Sequence, residues 1–230
     1  MSAVEDLASI MGSMSLPTRG GTHINSAQII TDRQDAIQRM TARLDEVTPK
    51  RYRRPIPMDP RIEAWVEEYA QDPTTARSLL LMGPTGTGKT HAAYGALKAA
   101  AVRGMRPNRA GRYILGTWAT TTFPDFLSKM RPGQFAQGDA LTSQRYMDSL
   151  RDTPLLLLDD LGLAKETPFI EECTHRLISG RYDEERPTIY TTNWTAGNLA
   201  EKVGDRIADR LAQECLIVSF KGESLRLPRR

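Results

Sequence analysis

Apolar residues along this chain follow two different periods, and the change from one to the other divides it. Residues 1–24 are rich in Ser, Gly, Thr and Met, show neither period, and read as a flexible tail. Ile30, Ile37, Met40, Leu44 and Val47 then recur at helical spacing. Asp32, Arg33, Gln38, Arg39 and Arg43 fall on the other faces, and Asn25 or Ser26 is placed to cap that helix. Pro49 stops it. A basic linker of Lys50, Arg51, Arg53 and Arg54 follows, closed by Pro55, Pro57 and Pro60, and a second helix is expected over 61–70.

From Arg77 onward strands and helices alternate. Residues 78–82, 113–118, 155–158, 188–192 and 216–220 read as strands. Helices are expected over 89–102, 124–130, within 138–150, over 166–181, and once or twice within 196–213. Five strands joined by helical crossovers predict an α/β fold, a parallel sheet with helices on both faces. The domain reading is a tail (1–24), an N-terminal helix and basic linker (25–60), and a sheet domain (61–230).

Composition adds little to this picture but removes several classes. Hydrophobic residues make up 40% and charged residues 26%, ordinary for a globular chain. The net charge of +3 permits contact with nucleic acid without demanding it. No apolar run reaches the ~18 residues of a membrane span, and the N-terminus lacks the pattern of a signal peptide. Cys173 and Cys215 have no metal-type spacing and read as core thiols, so a cytoplasmic location is expected.

The chemistry is concentrated in a few short segments. Gly83-Pro84-Thr85-Gly86-Thr87-Gly88-Lys89-Thr90 matches a phosphate-binding loop, with a strand before it and a helix after it. Glycines let backbone N–H groups turn toward phosphate oxygens, and the helix N-terminus adds a positive dipole end. Lys89 is the right cation for the β- and γ-phosphates of ATP, and Thr90 for Mg²⁺. The leucine run delivers Asp159 and Asp160 at a strand tip. Asp159 is the candidate to hold Mg²⁺ through its water shell, and Asp160 the group that orients or deprotonates the attacking water. The strand over 113–118 lies between these two segments in the chain, which separates this pattern from nucleotide kinases and small GTPases. Asn193 ends the strand 188–192, where an amide can hydrogen-bond the γ-phosphate or the lytic water.

Four segments together carry a resemblance: Gly-Pro-Thr-Gly-Thr-Gly-Lys-Thr-His (83–91), Leu-Leu-Leu-Asp-Asp-Leu-Gly (156–162), Thr-Thr-Asn (191–193) and Asp-Arg-Ile-Ala-Asp-Arg-Leu (205–211). From about residue 48 to 226 the chain resembles the AAA+ ATPases of the DnaC/DnaI helicase-loader and IstB group. The resemblance implies an arginine finger, Arg210 first and Arg206 second, that completes a neighbouring subunit's ATP site in an oligomer. Asp160 stands where many members have Glu, which implies slow hydrolysis. Leu225 replaces an aromatic residue in Gly222-Glu223-Ser224-Leu225-Arg226, which leaves the role of Arg226 open. The few residues after 220 are too short for a helical lid domain, as in the loaders.

The resemblance also suggests partners. The segment 122–151 would line a path for single-stranded DNA, with Lys129, Arg131, Phe123 and Phe126 as contacts; for each aromatic taken singly a place in the core is the favoured reading, and Lys129 and Arg131 are the preferred contacts. The amphipathic segment 30–47 either folds onto its own domain or docks on a partner helix, and partner docking is the favoured expectation. The leading function is loading of a replicative hexameric DNA helicase onto single-stranded DNA, in a bacterial, phage or plasmid setting. The alternative is an IstB-like helper of DNA transposition. A small-molecule kinase explains neither Asn193 nor the Arg206/Arg210 pair.

Overall fold

Four consecutive leucines cannot sit comfortably in water, and the strand that carries them is covered on both faces. The structure is a computed structural model and describes residues 23–24, 29–30, 32–109, 111, 113–114, 116–131, 139–162 and 167–222. Strands β1 (His23–Ile24) and β2 (Ile29–Ile30) precede helix α1 (Arg33–Val47), and a 3-10 turn at Lys50–Tyr52 leads into α2 (Pro60–Gln71). β3 (Ser78–Met82) and α3 (Lys89–Arg103) bracket the glycine loop, followed by β4 (Tyr113–Ile114), β5 (Trp118–Thr122), α4 (Phe123–Met130) and α5 (Asp139–Asp152). Then come β6 (Leu155–Leu161), α6 (Pro168–Asp183), β7 (Thr188–Thr192), a 3-10 turn at Ala196–Asn198, α7 (Leu199–Val203), α8 (Asp205–Glu214) and β8 (Cys215–Ser219).

The expected five-stranded parallel sheet is present, in the spatial order β5-β6-β7-β3-β8, with β1 added antiparallel beside β5. Successive strand residues face opposite sides, so the apolar runs feed two cores. Leu79, Leu81, Leu155 and Leu157 pack under α1, α2 and α3, with Trp65, Leu97 and Trp118. Leu80, Met82, Leu156 and Leu158 pack under α4 to α8, with Phe126, Met147, Leu177 and Leu211. β7 lies between β3 and β6, so the loop after β3 and the acids of β6 flank the tip of β7.

Two expectations change. The sheet strand preceding the leucine strand is not 113–118 but β5, and Tyr113–Ile114 pairs instead with Ile29–Ile30 outside the main sheet. Three β-branched threonines at 120–122 favour the extended chain, and two of them are buried despite their hydroxyls. Ile30 therefore belongs to a strand, and α1 begins after Asp32, whose carboxylate accepts a hydrogen bond from the Asp35 amide at 2.8 Å. The proposed caps Asn25 and Ser26 lie outside the described residues.

The apolar stripe of α1 does not wait for a partner. Ala36, Met40 and Leu44 are buried against the chain's own core, and Lys98 of α3 reaches Asp45 at 2.9 Å. Of the two expectations for this stripe, the structure shows it folded onto its own domain.

At the opposite end of the strands, Arg181 of α6 is 1% exposed. Its guanidinium donates to the carbonyls of Leu150, Thr153 and Pro187 at 2.6–2.7 Å and to the Thr188 hydroxyl at 2.7 Å. Burial lowers its pKa to about 10, so it stays charged at neutral pH. A buried cation is tolerated here because its donors are met, and it ties α5, α6 and the start of β7 together.

Candidate functional site

The loop after β3 turns on glycines that few other residues could replace. Gly83, Gly86 and Gly88 have φ of 137°, 89° and 96°. A Cβ on Gly83 would also lie 2.2 Å from the Phe220 carbonyl oxygen, since the end of β8 leans on the loop. Thr87 closes the turn by donating to the Pro84 carbonyl at 2.9 Å. No side chain caps the N-terminus of α3, which leaves its first amides for an anion.

Lys89 is buried at the centre. Its ammonium donates to the carbonyls of Gly83 and Pro84, both at 2.8 Å, and to Asn193 Oδ1 at 2.9 Å. The sheet thus brings together Lys89 and Asn193, 104 positions apart. Beside them Thr90 donates to Asp159 Oδ1 at 3.0 Å, and Thr191 donates to the same oxygen at 2.6 Å. Burial pushes the Asp159 carboxyl up to about 6, and the charge of Asp160 adds to it. The Thr191 and Thr90 hydroxyls and Lys89 oppose the rise.

Asp159 and Asp160 both lie within β6, at an irregularity. Leu158 pairs with Tyr190 and Leu161 with Thr192, so the register shifts between them. Asp160 adopts φ 58°, rare for a residue with a side chain, and its amide donates to the Thr191 hydroxyl at 2.9 Å. Thr192 donates to the Leu161 carbonyl at 2.9 Å. Trp194 lies against Gly162, where a Cβ would come within 1.8 Å of the indole. Thr191, Thr192, Gly162 and Trp194 were not singled out from sequence, where only Thr-Thr beside Asn193 and Gly after Asp-Asp-Leu hinted at them.

The other candidates lie elsewhere. Arg210 is engaged by α6: it donates to Ser179 Oγ, lies 3.4 Å from His175 Nε2, and stacks 5.4 Å over the Tyr182 ring. Arg206, on the same helix, is exposed. Phe123 and Phe126 are buried and packed with Tyr146 in the core, the place favoured for each aromatic taken singly. Lys129 is half-buried, with its ammonium 4.9 Å over Tyr146, and burial lowers its pKa. Arg131 is exposed.

The central cluster fits a magnesium nucleotide. Thr90 and Asp159 offer hard oxygen donors in mutual contact, suited to Mg²⁺. Among the described residues no group of three or more His, Cys, Asp or Glu could hold an ion alone, so phosphate and water oxygens would have to complete the shell. No helix among the described residues is long and apolar enough to cross a membrane.

Known proteins resemble this chain. The chain is 30% identical over 155 residues to the ATP-binding protein of insertion sequence IS5376 from Geobacillus stearothermophilus, covering 65% of this chain and 55% of that one. It is 25% identical over 163 residues to the replicative helicase loader DnaC of Escherichia coli K12, covering 70% and 60%. The chain therefore spans somewhat more than half the length of these curated relatives. A crystal structure of the DnaC helicase loader superposes with a TM-score of 0.57 at 22% identity, over 77% of this chain and 96% of that one, and the shared fold is that of the AAA+ ATPases. The profile described as IstB-like ATP binding protein matches residues 69–230. With a match of that extent, the chain belongs to the IstB-like ATP binding protein family.

Proposed function

We propose that the protein is an ATPase that loads a replicative DNA helicase onto single-stranded DNA, with slow hydrolysis raised by assembly or DNA. The observation that carries the ATPase reading is the contact of the buried Lys89 with Asn193 beside the Thr90–Asp159 pair. The loop amides and Lys89 would hold the phosphates, which compete with two carbonyls for the ammonium. Thr90 and Asp159 would hold Mg²⁺, whose charge offsets that on the transferring phosphoryl group when it is bound. Asp160 would orient or deprotonate water, and Asn193 would bond the γ-phosphate or that water. Arg210, by its place in the motif, would reach a neighbour's site once it leaves α6, with the exposed Arg206 as second candidate.

The DnaC relative supports the loader role. The more similar insertion-sequence relative supports a second reading, an ATP-dependent helper of DNA transposition. Pull-down of the purified chain against replicative helicase and transposase, with and without Mg-ATP, separates them. An ATP-dependent complex with the helicase is expected. Capture of the transposase alone would replace the loader reading with the second one.

A further inference from the structure

We propose that Thr191 is a positioning residue for ATP hydrolysis: its hydroxyl fixes the bulge that carries Asp159 and Asp160. The inference rests on reading those two acids as the hydrolytic pair of the ATP site.

Pairing on either side of the bulge is regular. Leu158 lies opposite Tyr190, and Leu161 opposite Thr192. Between these pairs β6 has two residues, Asp159 and Asp160, and β7 has one, Thr191. That is the count of a β-bulge, a device that re-aims side chains and interrupts the ladder. The interruption leaves Asp160 with a positive φ.

One hydroxyl answers both needs of the bulge. Thr191 Oγ1 accepts from the Asp160 amide at 2.9 Å and donates to Asp159 Oδ1 at 2.6 Å. The first bond satisfies a backbone donor and holds the strained residue. The second meets the same carboxylate oxygen that the Thr90 hydroxyl meets, so Asp159 is held from β7 and from α3. Thr191 is fully buried, so water cannot substitute. Local strain at a candidate reaction centre, held by a side chain from a neighbouring strand, is the pattern of a preorganised site.

Thr191→Val keeps the shape and removes the hydroxyl, and Thr191→Ser keeps the hydroxyl. Each is compared with the wild type and Lys89→Ala. In the nucleotide-free protein, amide exchange of the peptide containing Asp160 should accelerate in the valine variant and stay slow in the serine variant. ATP affinity measured in EDTA should remain within about twofold of wild type in both. With Mg-ATP, kcat should fall about tenfold or more in the valine variant and recover in the serine variant to within about threefold. Wild-type exchange and kcat in Thr191→Val would overturn the proposal, as would an equal fall in Thr191→Ser. If the valine variant does not fold, Thr191→Ala against Thr191→Ser makes the same comparison. A wild-type protein that neither binds nor hydrolyses ATP would instead remove the ATPase reading, while the exchange data would still judge the bulge.

Discussion

Replacing the buried carboxylate of Asp159 by its neutral isostere should stabilise the nucleotide-free protein while disabling it. Burial raises this carboxyl from the usual 3.8 to about 6. In the unfolded chain it ionises near 3.8, so the folded state holds its proton more tightly. The cost of ionising it in the fold is absent below about pH 3.8, grows through the window up to about 6, and is constant above. A shift of that size corresponds to about 3 kcal/mol at pH 7.5 and about half of that at pH 5. Asn offers a carbonyl that can still accept from Thr90 and Thr191, so the variant sheds the charge without orphaning either hydroxyl. For a chain of this length each kcal/mol moves Tm by roughly 2–4 °C, so Asp159→Asn should melt about 6–12 °C above wild type at pH 7.5. The advantage should shrink clearly at pH 5. Thermal melts in EDTA at both pH values measure it, and adding Mg-ATP should stabilise the wild type but not the variant. A variant no more stable than wild type at pH 7.5, or an advantage that does not shrink at pH 5, refutes the reasoning.

Lys89→Ala should abolish ATP binding in a titration while leaving the circular dichroism spectrum intact, and normal binding would mean the site is misassigned. Arg210→Ala should keep ATP binding but lose assembly-stimulated hydrolysis, whereas full wild-type turnover in a strictly monomeric preparation would exclude a finger acting between subunits. Arg181→Leu leaves several buried acceptors unpaired around an apolar side chain and should cost about 3–5 kcal/mol in urea unfolding. A loss below ~1 kcal/mol would show that those carbonyls find other donors.

Local chemistry was the most legible part of the chain. A glycine loop needs only eight consecutive residues, and four leucines before two acids announce a buried strand with a charged tip. The β5 strand was misplaced because its threonines read as polar, while their β-branched carbons, buried in the sheet, set the conformation. An amphipathic stripe looks the same whether it covers its own core or a partner's, so Met40 and Leu44 could not reveal which. Phe123 and Phe126, among lysines and arginines, posed the same ambiguity, and burial decided it. Thr191 escaped notice for another reason. Its role depends on register between strands about thirty residues apart, and no single-strand pattern encodes that.

The seat of Trp194 has a practical consequence. The chain has three tryptophans; Trp65 and Trp118 are sealed in the core, whereas Trp194 is partly open to solvent, on Gly162 and next to Asn193. Emission accessible to a soluble quencher therefore arises at one point, between the tips of β6 and β7. The protein carries its own optical probe there, and rearrangement of the two tips can be followed in real time without a label.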